Sequence, residues 1–231
     1  MTSNMYSKER LVIFDADGTA IDAFSAIDQT FSYHGMDIGD LERFQKRRTL
    51  FKYLGGLKEF PINLRKQFGK QKRKQLLSTL TEVYRNEVRL FPGLAELIQT
   101  LLDAPGIRVA LVTHNVTIEP ELTLRTVFSR HGIDAGQFDY LARIPVSEDK
   151  IQQFKLVRER FSVNPARAYA CGDEHKDYLA AVSTGLHPFI VSYGFEDHRR
   201  LTRKFNIPEE VISSTPEALC ARVLHALDLG H

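Results

Sequence analysis

The amino-acid sequence predicts an α/β fold, a doubly wound parallel sheet into which an all-helical domain is inserted. Three observations predict it. An apolar run, Leu11 to Phe14, ends in acidic residues and a glycine turn; the stretch 21–88 has helical rather than alternating periodicity; and beyond it apolar runs alternate with amphipathic helical patterns. Such alternation is typical of a parallel sheet with helices on both faces. The functional site of such a sheet lies beyond the carboxyl ends of its strands.

The first strand is followed only by helical patterns up to residue 88. We predict helices over residues 23–33, 41–54, around 64–68 and 72–88. Phe91-Pro92-Gly93 marks the return to the sheet. We therefore predict two units, an α/β core of residues 1–20 and 89–231 and a helical domain of residues 21–88.

The remaining core elements follow in strict alternation. The predicted strands cover residues 108–112, 140–144, 168–171, 189–192 and 211–212. The predicted helices cover a stretch after Gly93 up to 102, then 119–130, 150–161, 178–184, 198–205 and 216–227.

Composition excludes several classes of protein. The chain has 231 residues, of which 43% are hydrophobic and 26% charged, values that fit neither a disordered nor a membrane protein. No apolar stretch approaches the roughly 20 residues that span a bilayer, and the first ten residues lack the apolar core of a signal peptide, so we expect a cytoplasmic protein. Two cysteines provide neither a disulfide framework nor a thiolate metal site.

The net charge of +2 is unevenly distributed. Residues 42–89 contain 14 Lys or Arg and 4 Asp or Glu, a balance of 14 − 4 = +10, which leaves 2 − 10 = −8 for the rest. A basic segment of this kind attracts anionic small molecules or nucleic acid. For the run Lys70 to Lys74 we favour a solvated helical surface over a nucleic-acid site.

Polar residues gather where the predicted strands end. Asp15 and Asp17 follow the first strand, Thr113, His114 and Asn115 follow the second, and Asp173 and Asp177 follow the strand that ends at Cys171. Two acids as close as Asp15 and Asp17 resist joint ionisation unless a cation sits between them or one keeps its proton. A metal-bound nucleophile beside an acid/base group meets that condition. The last residue of this set is Lys150, which precedes Asp173 by 23 residues.

These residues resemble the four ordered motifs of the haloacid dehalogenase-type phosphohydrolases, over nearly the whole chain. The motifs are Asp15-x-Asp17-Gly18-Thr19, the strand that ends in Thr113, Lys150, and Gly172-Asp173-x-x-x-Asp177. Phe91-Pro92-Gly93, Tyr193-Gly194-Phe195 and a helical cap inserted after the first motif resemble the phosphoglycolate phosphatase-like branch. The resemblance implies a Rossmann-like core with that cap.

The resemblance also implies a phosphomonoester hydrolase that uses Mg²⁺. Asp15 would be the nucleophile that carries an aspartyl-phosphate, and Asp17 would protonate the leaving alcohol and then activate water. The metal site would comprise Asp15, the backbone carbonyl of Asp17, and Asp173, with Asp177 orienting a metal-bound water or the lysine.

Further roles follow from the same resemblance. Thr113 and the amide of His114 would bind phosphoryl oxygens, and Lys150 would balance the charge shared by the nucleophile and the phosphate. Lys155 is the alternative for that lysine. Arg47 and Arg48 lie where the family often places substrate-contacting residues, so we expect a small anionic phosphorylated metabolite as substrate.

Other activities are separated by single features. Asp17 argues against a dehalogenase, which needs no acid for a halide leaving group, and against the phosphonate-cleaving relatives. A phosphomutase stays open, as does a non-catalytic module that binds phosphate or nucleic acid through the basic segment. The paired acids disfavour that module, and we expect no nucleic-acid partner. Asp22 is predicted to cap the first inserted helix, and Gly194 is interpreted as a turn residue.

Overall fold

The computed structural model describes residues 6–37, 39–42, 70–145 and 147–230. The described residues contain a six-stranded parallel sheet. Its order is β3-β2-β1-β4-β5-β6, and each neighbouring pair is parallel. The chain winds outward from β1 in both directions, so the strand order reverses there. The predicted fold class is confirmed. The strands are β1 Arg10–Phe14, β2 Ile107–Thr113, β3 Tyr140–Arg143, β4 Ala168–Gly172, β5 His187–Val191 and β6 Ile212–Ser213.

Seven α-helices are described, and their bounds lie close to the predicted ones. The predicted helix 178–184 begins three residues earlier, at His175, because Glu174 and Asp177 form a capping box there. The predicted helix 198–205 contains a π-helix, Arg200–Lys204. The helices are α1 Ala23–Tyr33, α2 Lys70–Asn86, α3 Leu94–Asp103, α4 Pro120–Arg130, α5 Ile151–Arg160, α6 His175–Ser183 and α7 Pro216–Ala226.

The segment predicted to form an inserted domain is described only in part. Helices α1 and α2 belong to the predicted segment 21–88 and pack against each other. Most of the predicted helix 41–54 and all of that around 64–68 lie outside the described residues. The division into a core and a cap therefore stays a prediction.

Strand β1 is buried on both faces. Leu11 and Ile13 belong to an apolar cluster with α5 and α6, whereas Val12 and Phe14 belong to a second cluster with the other helices. Successive side chains of a strand point to opposite faces, so a strand covered on both sides is apolar throughout. This explains why the run before Asp15 is continuous rather than alternating.

A tight turn follows β1 and separates the two acids of the first motif. The carbonyl of Ala16 accepts hydrogen bonds from the amides of Ala20 and Ile21, at 2.9 and 2.8 Å, and Gly18 has φ 85°. That left-handed conformation favours glycine. Asp22 then caps α1 by accepting a hydrogen bond from the amide of Ser25 at 3.1 Å, as predicted.

None of the described helices is both long enough and apolar enough to cross a membrane.

Candidate active site

Three neighbouring strands bring their carboxyl ends together around Asp15. Phe14, the last residue of β1, pairs with Leu111 of β2 and with Cys171 of β4. The amide of Asp15 donates to the carbonyl of Cys171 at 2.9 Å, which continues the ladder by one residue. Asp15 thus emerges at the point where the strand order reverses, the position at which open α/β sheets bind ligands.

Lys150 reaches this point from the residue before α5. Its ammonium nitrogen lies 2.8 Å from Asp15 Oδ1 and 2.7 Å from Asp177 Oδ1, and its side chain is only 2% exposed. The side chain of Lys155 is 57% exposed and lies 4.0 Å from Glu159. Of the two lysines considered from the sequence, the structure places Lys150 among the acids and Lys155 on the surface.

Burial and mutual charge shift the titration of this cluster. Burial raises the pKa of Asp15 to about 6, with a further rise from Asp177, although the charge of Lys150 lowers it. Burial lowers the pKa of Lys150, but the negative charges of Asp15 and Asp177 outweigh it and the pKa lies above its ordinary value. One ammonium therefore serves two carboxylates, and the cluster retains excess negative charge.

Asp173 completes the acidic cluster from the end of β4. It is fully buried, and its Oδ2 accepts a hydrogen bond from the amide of Phe195 at 2.6 Å. Gly194 lies against it so closely that a Cβ atom at this position would overlap Asp173 and the carbonyl of Gly18. Gly194 is thus more than the turn residue interpreted from the sequence, because its missing side chain allows two loops to meet.

The acidic cluster fits a divalent cation. Asp15, Asp173 and Asp177 each offer a carboxylate oxygen, and these oxygens lie within 4.8 Å of one another. Asp177 already accepts hydrogen bonds through both oxygens, from Lys150 and from the amide of Glu174 at 3.0 Å. The three carboxylates offer only oxygen atoms as ligands, and their negative charge exceeds the positive charge of the one ammonium group. Both properties suit a small hard cation.

Asp17 accepts hydrogen bonds from two neutral donors. Tyr84 of α2 donates its hydroxyl hydrogen to Asp17 Oδ1 at 3.1 Å, and the Asn115 amide nitrogen lies 3.0 Å from Oδ2. Burial raises the pKa of Asp17 to about 7, and the charge of Asp15 adds to the rise. A carboxyl group with this pKa can both give and take a proton near neutrality.

Thr113 is the last residue of β2, and His114 follows it. The Thr113 hydroxyl is buried, and no partner for it exists among the described residues. The His114 Nδ1 donates to the carbonyl of Pro145 at 3.1 Å, and burial, with the charge of Lys150, lowers the pKa of this histidine to about 4. His114 is therefore a neutral side chain at the rim. Arg47 and Arg48 lie outside the described residues.

Two contacts of the site were missed from the sequence. Asn115 stands two residues after Thr113, so its position at a strand end was a usable signal. Tyr84 shares the buried face of α2 with Leu80 and Val83, a spacing that predicts burial but does not identify Asp17 as its partner.

Comparison with known proteins identifies the family. The haloacid dehalogenase-like hydrolase family matches residues 9–185. This chain belongs to that family. The prediction of a hydrolytic enzyme is thereby confirmed, and all four sequence motifs lie within the matched segment.

Relatives of this haloacid dehalogenase-like hydrolase extend over nearly its whole length. Phosphoglycolate phosphatase from Vibrio vulnificus is 22% identical over 95% of both chains. A haloacid dehalogenase-like family hydrolase from Streptococcus pneumoniae has a TM-score of 0.60 at 19% identity, covering 93% of this chain and 98% of its own. CbbY from Rhodobacter sphaeroides in complex with phosphate has a TM-score of 0.56 at 24% identity, covering 82% and 89%. The structural likenesses support the fold.

Proposed function

We propose that this protein is a Mg²⁺-dependent phosphomonoesterase for small anionic phosphorylated metabolites and that it acts through an aspartyl-phosphate on Asp15. The observation that carries the proposal is the buried cluster of three carboxylates around Lys150. The neighbouring strand β2 ends at Thr113, whose buried hydroxyl has no hydrogen-bond partner among the described residues. A site built only for stability has no reason to bury acids in excess of cations, because unpaired buried charge is costly.

Asp15 has one oxygen available for attack. Its Oδ1 accepts from Lys150 at 2.8 Å and from the amide of Ala16 at 2.8 Å, and none of the described residues forms a hydrogen bond with Oδ2. In the first step Oδ2 bonds to phosphorus while the bond from phosphorus to the leaving oxygen breaks. Asp17 gives its proton to that oxygen, so the product leaves as an alcohol.

The second step reverses the role of Asp17. Water attacks phosphorus and loses a proton to Asp17, and the bond between phosphorus and Asp15 breaks. Orthophosphate leaves and both carboxyl groups return to their starting forms. Thr113 would donate a hydrogen bond to a phosphoryl oxygen in both steps, which supplies a partner that its buried hydroxyl does not find among the described residues.

Asp15 and Asp173, with the backbone carbonyl of Asp17, would hold the Mg²⁺. When bound, the ion offsets the negative charge between the nucleophile and the phosphoryl group. Asp177 would hold Lys150 in place, since both of its oxygens already accept hydrogen bonds from the protein.

Two observations suggest which substrate to test first. The relative from Vibrio vulnificus is named a phosphoglycolate phosphatase, and Arg47 and Arg48 are suited to bind a carboxylate or a second phosphate. Phosphoglycolate is therefore the first substrate to test, within a panel of phosphorylated metabolites.

The test is release of orthophosphate from that panel and from an aryl phosphate, with Mg²⁺ or with a chelator. We expect turnover that requires Mg²⁺ and is lost in Asp15→Asn. Equal rates in the wild type, the chelated enzyme and the variant would contradict the proposal. A phosphomutase would isomerise a sugar phosphate with little release of orthophosphate, so the same assay separates the two activities.

A further inference from the structure

The side chain of Asp17 is fixed by two residues that no sequence motif includes. Tyr84 donates to Oδ1 at 3.1 Å, while the Asn115 amide lies 3.0 Å from Oδ2 and 3.3 Å from Oδ1. Both Asp17 oxygens are thus engaged by neutral donors. By contrast, Asp15 and Asp177 share the ammonium of Lys150.

Both donors are themselves held in place. The Asn115 Oδ1 accepts hydrogen bonds from the amide of Thr117, at 3.1 Å, and from its hydroxyl. These bonds fix the side-chain amide so that its nitrogen faces Asp17, because only the oxygen can accept. Asn115 is only 1% exposed.

Tyr84 is held by the packing of α2. It is 3% exposed and belongs to the same apolar cluster as Leu80, Val83 and Phe14, so its ring has little freedom to move. The hydroxyl contacts Asp17 across 67 positions of sequence. The contact joins a helix of the predicted inserted segment to the turn that follows β1.

We infer that Tyr84 and Asn115 are positioning residues that aim the Asp17 carboxyl group for proton transfer to the leaving alcohol. This inference rests on the proposed function. Each bond of the pair removes rotational freedom from the carboxyl group, and proton transfer requires a hydrogen-bonding distance to the leaving oxygen. Both residues act through Asp17 and not on the reacting phosphorus.

Leaving-group chemistry separates this role from a structural one. Dinitrophenolate leaves without being protonated, whereas the alkoxide from an aliphatic phosphate needs a proton in the transition state. The parameter kcat/KM covers the steps up to formation of the aspartyl-phosphate, so it excludes the later step in which Asp17 acts as a base. The measured quantity is the ratio of kcat/KM for dinitrophenyl phosphate to kcat/KM for β-glycerophosphate. A structural defect that lowers both values by the same factor leaves this ratio unchanged.

The variants are Tyr84→Phe, Asn115→Asp, Asp17→Asn and the control Tyr169→Phe. Tyr169 is a matched control, because its hydroxyl also donates to a protein oxygen, the carbonyl of Ala226 at 3.2 Å, from the second position of β4. Asn115→Asp keeps the oxygen that Thr117 requires and removes the donor to Asp17. It is the second probe should Tyr84→Phe fail to fold.

We expect the ratio to rise about tenfold in Tyr84→Phe and in Asn115→Asp, a part of the roughly 10²–10⁴-fold that proton transfer contributes. It should rise further in Asp17→Asn and stay at the wild-type value in Tyr169→Phe. A wild-type ratio in a folded Tyr84→Phe or in Asn115→Asp, or an equal rise in Tyr169→Phe, would overturn the inference and leave the proposed function standing. No wild-type turnover of either compound would overturn both.

Discussion

Replacing Thr113 by Val separates binding of the phosphoryl group from stability of the fold. The hydroxyl is fully buried and has no partner among the described residues, so a methyl group of the same shape removes an unsatisfied polar atom. We expect the free energy of unfolding to rise by about 1 kcal/mol, which corresponds to a rise in Tm of about 2–4 °C for a chain of this size. We expect kcat/KM to fall about 10²-fold, because a hydrogen-bond donor to the phosphoryl oxygens is lost.

The assay pairs thermal unfolding with phosphate release from an aryl phosphate. Ser213→Ala is the matched control, because the Ser213 hydroxyl is also buried without a partner among the described residues and stands on the edge strand β6. This control should gain stability and keep wild-type kcat/KM. A Thr113→Val protein that loses stability, or one that keeps full activity, would refute the reasoning.

Three further predictions concern Lys150, Gly194 and the two cysteines. Lys150→Met should lower the free energy of unfolding by about 3–5 kcal/mol in urea titrations with chelator, because it leaves buried carboxylates unpaired. The control Lys155→Met should change this free energy by less than about 0.5 kcal/mol. Equal unfolding midpoints for the two variants would contradict the prediction. Gly194→Ala should weaken Mg²⁺ binding in calorimetry, because the added Cβ displaces Asp173; wild-type affinity would show that the close contact is dispensable. Burial raises the pKa of Cys171 far above its ordinary value and that of Cys220 to about 11, so iodoacetamide at about pH 8 should label the folded protein far more slowly than the unfolded chain. Rapid labelling of the folded protein would be the contrary result.

Much of the sheet could be predicted from the sequence because its signals are local. The strand that ends before Asp15 is buried on both faces, so a continuous apolar run marks it. The acids follow strands and Thr113 ends one. The carboxyl ends of parallel strands meet at one edge of a sheet, so the proximity of these residues followed from the fold class. The helix that begins at His175 was predicted to begin three residues later, because its capping box involves Asp177, which was interpreted only as a functional acid.

The fine structure of the site depends on contacts that sequence spacing does not encode. Tyr84 and Asn115 lie 67 and 98 residues along the chain from Asp17. Tyr84 reaches Asp17 only because α2 packs beside the turn that follows β1. The close approach of Gly194 to Gly18 likewise depends on how two loops pack at the strand ends. The predicted roles of Arg47 and Arg48 concern residues outside the described part of the chain.

The most direct test of the central claim is to detect a phosphoryl group on Asp15 during turnover. Dinitrophenyl phosphate is the substrate of choice, because its fast first step lets the intermediate accumulate before water attacks. After acid quenching and proteolysis, mass spectrometry should find one phosphoryl group on the peptide that contains Asp15 and none in Asp15→Asn. Steady turnover with an unmodified Asp15, or with the phosphoryl group on another residue, would contradict the account.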